Sequence, residues 1–374
     1  MMQRIKCQRT RAAVLRTLKY GMCALLLTPL ASKATTLSDL AAAVQPGQWR
    51  VLSSNNDGSG LSGGMLAVES PANILQFADK GLWNPNTRQV LFFGEGHLAS
   101  MKFISYTEAT HNWQIEPKPP WDCTPGCAQS LGAIGHAYHH STINPTNGDM
   151  YVRRYNSRVV NKFTKATNTW AQLPNMPEDL PCCAALEYFP ESGALVAVGG
   201  GIVLIYEEST GRWQTLATGL AMGPYHNVAY YNAANRIVLF GGGNSSGDLY
   251  KIDASRTITK VRSAPVSFGI NATINAVDPV TGRLLVFGNS SGYEYDVASN
   301  NWNAFDPGSD PFPVSNPDSR VADTMATAIP TYGVIMVLHY EGSQSRAYLY
   351  KHAPGSIPPP DTTAPSAPLN LQVQ

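Results

Sequence analysis

Residues 182–213 read CCAALEYFPESGALVAVGGGIVLIYEESTGRW. An apolar run, Cys182–Phe189, meets the turn Pro190-Glu191-Ser192-Gly193. A second run, Ala194–Val198, ends in Gly199-Gly200-Gly201, and a third, Ile202–Tyr206, passes through a short polar turn to Trp213. Short apolar runs cut by Pro, Gly, Asn and Asp read as strands joined by tight turns, because each punctuating residue fixes or frees the backbone where the chain must reverse. Four such strands in series make one antiparallel meander.

The unit recurs. Tyr225–Tyr231, Arg236–Phe240, Gly241-Gly242-Gly243 and Leu249–Ile252 form a second copy, with Val261 near the position of the Trp. A third runs Ala272–Val277, Arg283–Phe287, Gly288-Asn289, Tyr293–Tyr295 and Trp302. Looser copies surround Trp113, Trp170 and the stretch Val334–Tyr350. The first tight turn of each copy starts at 84, 144, 189, 232, 278 and 330, so the spacings are 60, 45, 43, 46 and 52 residues. Roughly 40–50 residues per four strands is the size of one propeller blade.

The glycine pair followed by spaced Tyr and Trp resembles the Kelch repeat over residues 45–353, with the propeller architecture of the galactose oxidase central domain. The resemblance implies an all-β, six-bladed β-propeller of four-stranded antiparallel blades. Trp49 lacks three strands before it and the last copy lacks a Trp strand after it, so the N-terminal strand is expected to complete the final blade and leave no free edge. A seventh blade, the alternative, would need another copy within residues 53–80. No Tyr/Cys/His set matches the copper ligands of galactose oxidase position by position, so no cofactor is expected.

Composition narrows the function. Only 14% of the 374 residues are charged, and 27 Lys and Arg face 26 Asp and Glu. That balance excludes a basic nucleic-acid-binding face, and no run reaches the ~18 apolar residues of a membrane-spanning helix. Residues 1–34 carry seven bases and no acid, then the apolar run Met22–Leu27 and the small-residue site Ser32-Lys33-Ala34. This reads as a secretory signal, leaving a chain of net charge −6 that is secreted or held at the cell surface or in the periplasm. The propeller then spans 35–353. Beyond it, 354–374 is a Pro-rich linker in which Asp361–Leu371 resembles the opening of a fibronectin type III domain.

Four cysteines remain after the signal: Cys123, Cys127, Cys182 and Cys183. An even number suits an oxidising compartment. A local 123–127 bridge would leave Cys182 and Cys183 to close a vicinal ring; cross-pairing is the other arrangement. Neither pair has the spacing of a zinc knuckle, so no metal is expected.

In a four-stranded meander the turns after strands 1 and 3 share one face, and the turn after strand 2 shares the other with the link to the next blade. The Gly-rich turns therefore lie beside the links. Six of the eight histidines map to that Gly-turn face: His97, His136, His139, His140, His226 and His339. Tyr138, Arg154, Tyr155 and Tyr225 fall there too. Three uses fit this cluster. The side chains can brace backbone around the channel; they can bind a ligand by stacking and hydrogen bonding; or His139, Arg154 and Tyr155 can abstract a proton beside a bound sugar carboxylate. The reading adopted is non-catalytic recognition of a glycan or an extracellular protein through His97, His136, Tyr138, His139, Arg154, Tyr155, Tyr225, His226 and His339. The rival is a secreted carbohydrate-active enzyme, above all a polysaccharide lyase.

Overall fold

The computed structural model describes residues 36–53, 74–94, 102–117, 136–270, 273–288, 291–308, 323–340 and 345–352. The basic leader, His97, Cys123, Cys127 and the Pro-rich end lie outside the described residues.

Six antiparallel sheets follow one another along the chain. Blade 1 comprises Leu82–Asn84, Gln89–Gly94, Lys102–Thr107 and Asn112–Ile115; blade 2 comprises Ser141–Ile143, Met150–Arg153, Val160–Thr164 and Thr169–Gln172. Blade 3 is Ala185–Phe189, Ala194–Gly199, Ile202–Glu207 and Arg212–Ala217, and blade 4 is Val228–Asn232, Ile237–Gly241, Leu249–Ile252 and Ile258–Lys260. Blade 5 holds Ile274–Val277, Leu284–Gly288, Ser291–Asp296 and Asn301–Phe305. Blade 6 takes Asp323–Ile329, Val334–Tyr340 and Ser345–Lys351 from the C-terminal end and Gln48–Leu52 from the N-terminal end, with Trp49 opposite Tyr350. First strands of successive blades contact each other from blade 1 to blade 6 and back to blade 1, so the ring is closed.

Local chemistry explains the repeat. At the end of the first strand, Asn84, Asn144, Asn232 and Asp278 each turn a side-chain oxygen onto backbone N–H groups two or three residues on, at 2.9–3.3 Å. These Asx turns satisfy donors that a tight reversal strands. The fourth-strand Trp reaches back one blade: the indole N–H of Trp213 donates to Pro174 O (2.8 Å), that of Trp302 to Arg262 O (2.9 Å), and that of Trp49 to Pro307 O (2.8 Å). Glycine is required where the Gly turn presses on the neighbouring link. At Gly242 (φ 68°) a Cβ would collide with the carbonyl oxygen of Phe268.

Two elements depart from the repeat. Leu37–Ala43 is a short helix capped by Thr36, whose hydroxyl accepts from Asp39 N (3.3 Å), where only strands and turns are expected. Residues 74–80 supply no seventh blade. Instead Ala78–Lys80 forms a strand parallel to Asp323–Ile329, with Lys80 paired to Ala326, and continues past Gly81 into the first strand of blade 1. Sequence period could not disclose this segment, because it is unique and its partner lies about 250 residues away. All of Ala78, Asp79 and Lys80 is buried, and their side chains fill the axis of the ring.

Candidate functional site

On the Gly-turn face the links between blades converge at the mouth of the axial channel. Phe77 enters just before the axial strand, His136 and Tyr138 precede blade 2, Cys182 and Cys183 precede blade 3, and His226 precedes blade 4. Tyr155 comes from the turn after the second strand of blade 2. The rings meet. Phe77 lies 4.4 Å from His136 and 6.3 Å from His226 between centroids, and Tyr138 lies 5.4 Å from His136, 5.6 Å from His226 and 6.5 Å from a stacked Tyr155. Tyr138, Tyr155, Phe77, Cys182, Cys183 and Ile270 form one apolar cluster.

Three of these ring-bearing residues have left-handed backbone: Phe77 (φ 51°), Tyr138 (φ 41°) and His226 (φ 63°). Bulky side chains avoid that region because Cβ crowds the backbone, at a cost on the order of 1–3 kcal/mol each. Contacts hold them there. Tyr138 N donates to Phe77 O (2.9 Å), and His226 Nδ1 donates to Asn244 Oδ1 (2.5 Å). Such backbone persists only where the surrounding structure offsets its cost.

The cluster has two layers. His136, Tyr138, Cys183 and His226 are buried, while Phe77, Tyr155 and Cys182 are half-exposed above them. Burial raises the Tyr138 phenol pKa and lowers that of the His226 imidazole, so both are neutral near pH 7. Cys182 and Cys183 are joined in a vicinal disulfide. The loop carrying it is clamped by the buried Arg153, which donates to Leu180 O and Pro181 O (both 2.9 Å) and to Cys182 O (3.0 Å); burial pushes its guanidinium down to about 10, still cationic. His140 Nε2 donates to Cys182 O as well (2.6 Å). A short, rigid apolar ring thus sits beside the tyrosines.

His139 is elsewhere. It is fully buried below the cluster, with Nε2 donating to Ala229 O (2.5 Å) and Nδ1 hydrogen-bonded to Asp79 Oδ2. Burial, reinforced by the Lys80 cation, holds its pKa below the ordinary imidazole value. Tyr230 Oη also donates to Asp79 Oδ2 (2.9 Å). Beside this set, Lys80 Nζ meets Glu187 Oε2 at 2.5 Å, and Glu187 Oε1 accepts from Thr142 Oγ1 (2.9 Å) and Tyr188 N (3.1 Å). The axial strand thereby ties blades 2, 3, 4 and 6 together.

Of the residues expected from sequence, His136, Tyr138, Tyr155 and His226 lie together, and Tyr225 is 51% exposed next to His226. Arg154 is half-buried in the turn that carries Tyr155, and burial lowers its pKa. His339 stands on blade 6 against Thr324 Oγ1 (2.7 Å). Phe77, Asp79, Lys80, Glu187 and Tyr230 were not among the expected residues. An acid centred in the apolar strand Ala185–Phe189 is the one signal that pointed inward, since a buried carboxylate needs a partner.

No protein-family model and no curated protein matches the chain. Among solved structures it is similar to the nidogen/laminin complex, at 8% identity and a TM-score of 0.44 over 61% of this chain and 80% of that one. It is also similar to streptogramin B lyase, at 10% identity and a TM-score of 0.46 over 75% of this chain and 96% of that one. Both likenesses concern the course of the backbone. The class of the protein, a six-bladed β-propeller, rests on its own sheet order and ring closure. No helix among the described residues is long and apolar enough to cross a membrane.

Proposed function

We propose that this chain is a secreted Kelch-like propeller that binds a glycan, without transforming it, at the axial mouth of the Gly-turn face. The observation that carries the reading is the platform of Phe77, Tyr155 and Cys182 supported from below by His136, Tyr138, Cys183 and His226. Sugar rings present apolar C–H faces that stack on aromatic and disulfide surface, while Arg154 and Tyr225 offer polar atoms to hydroxyl or carboxylate groups. A preformed, strained platform loses little entropy on binding. His139, the foremost candidate base, has both nitrogens engaged in the interior, which favours recognition over proton abstraction. In this reading the propeller begins after a signal cut following Ala34, and the segment after 354 leads toward a fibronectin type III module.

The test is a glycan array with the secreted protein and its Tyr155→Ala variant, beside an ultraviolet assay for unsaturated sugar products. Retention of one glycan class, lost at least about tenfold with Tyr155→Ala, supports the reading. Retention of extracellular proteins but of no glycan would transfer the same face to a protein partner. Unsaturated product from an acidic polysaccharide would establish the lyase instead.

A further inference from the structure

The opposite end of the channel holds a second feature. Beyond Lys80 the axis opens into a cavity of about 360 Å³, rimmed by the first turns of the blades, Pro330 and Thr331 of blade 6 among them. Trp83, Tyr188 and Tyr231 line it. Trp83 spends its indole N–H on Thr331 Oγ1 (3.0 Å), Tyr188 its hydroxyl on Glu208 Oε2 (2.9 Å), and Tyr231 its hydroxyl on Glu191 Oε1 (2.8 Å). With those polar atoms engaged, the three rings offer an occupant carbon surface.

The chain leaves the ring beside this rim. In blade 6, Ile329 pairs with Val334 across the first turn, and Ile335 pairs in its turn with Tyr350. The end of the third strand therefore lies level with Pro330, two strands outward, or about 10 Å at the usual strand spacing. The sequence that follows, Pro354–Pro360, reads PGSIPPP. From His352 to Pro358 an extended chain covers roughly 19 Å at ~3.1 Å per residue. That is enough to recross the blade and enter the cavity.

We infer that the cavity is the docking site for the Pro358-Pro359-Pro360 run of this same chain. Consecutive prolines favour the polyproline II helix before they bind, so little backbone entropy is lost on docking. Ile357 is steered to extended backbone by the proline after it. Proline carries no N–H, so the run takes no unmet donor into the cavity. Its pyrrolidine rings pack on aromatic side chains, as in other grooves that take Pro-rich segments. Tethering by so few residues supplies a millimolar effective concentration, so a weak contact suffices. Docking covers the open end of the axis and leaves the proposed glycan platform, on the other face, free.

Fluorine NMR of the full chain labelled with fluorotryptophan tests the inference. Trp83 lines the cavity, and Trp83→Phe identifies its signal among the seven Trp. When Pro358→Gly, Pro359→Gly and Pro360→Gly are combined, the Trp83 signal moves and the other Trp signals stay. A peptide of residues 354–364, added to that variant at millimolar concentration, returns the signal to its parent position. The same peptide with the three glycines binds at least about tenfold more weakly. Ala233→Phe, at an exposed rim position, added to the triple variant abolishes the response to peptide. An unmoved Trp83 signal, no recovery with peptide, or a response that survives Ala233→Phe overturns the inference. A parent Trp83 signal that changes on dilution overturns it too, since a second copy would then supply the run.

Discussion

Replacing Lys80 by Met measures what the axial strand contributes to the ring. The Lys80 and Glu187 side chains are 9% and 8% exposed and meet at 2.5 Å. Lys80 also donates to Leu186 O at 3.3 Å, and Glu187 keeps its contacts with Thr142 and Tyr188 N. Attraction within such a pair is large, but desolvation of both ions offsets most of it. Removing one partner exposes the remaining desolvation penalty, about 3–5 kcal/mol. At the roughly 2–4 °C per kcal/mol of a large domain, Lys80→Met lowers the melting temperature by about 6–20 °C. Lys80→Met with Glu187→Gln, which removes the orphan charge and keeps an acceptor for Thr142, recovers more than half of that loss. Calorimetric melting and guanidinium denaturation of the three proteins give the comparison. A Lys80→Met protein within about 0.5 kcal/mol of the parent would refute the reasoning, since surface replacements cost no more than that.

Two further outcomes are expected. Gly242→Ala, where the new methyl strikes Phe268 O and φ is 68°, destabilises by several-fold more than Gly193→Ala, where nothing lies within 4 Å of the methyl and only the left-handed φ of 56° is penalised, at about 1 kcal/mol; equal melting points would contradict the close approach. His111, His139 and His226 all have pKa values lowered by burial. The unfolded chain therefore takes up protons near pH 6.5 that the folded rings refuse, and stability falls as pH drops from about 7 toward 5, by up to ~1.4 kcal/mol per unit for each ring. Urea midpoints across that range report the slope, which His226→Gln should flatten; stability that is constant or rises on acidification, with no flattening, would count against it.

The blade count was legible because each blade spells out its own turn chemistry: Asn84, Asn144, Asn232 and Asp278 mark where the first strand ends, and the glycines mark where a turn meets a neighbouring link. Trp49 as the closing strand followed from an incomplete first unit and an incomplete last one. The face of the site was legible from topology, since links and second turns must share a side. Side-chain depth was not. His139 and His140 are adjacent in sequence, yet one turns into the axis toward Asp79 and the other toward the Cys182 loop, because the chain reverses there in a turn closed by His140 N donating to Ala137 O (3.2 Å). Nor could Phe77 or the axial strand be read. The pairing of that strand with Asp323–Ile329 is specified by tertiary packing, with no local pattern to announce it.

Joining Gln48–Leu52 and Ala78–Lys80 to the last blade sets an order of assembly. Both segments leave the ribosome early, yet their partners, Ser345–Lys351 and Asp323–Ile329, emerge some 250–300 residues later. At roughly 5–20 residues per second, that is a wait of about 12–60 seconds in which two strands remain without their final neighbours. Contacts so distant along the chain are slow to form. The nascent polypeptide is thus most vulnerable to aggregation before its final sheet is made, and a chaperone that shields its first eighty residues would act at the point of greatest need.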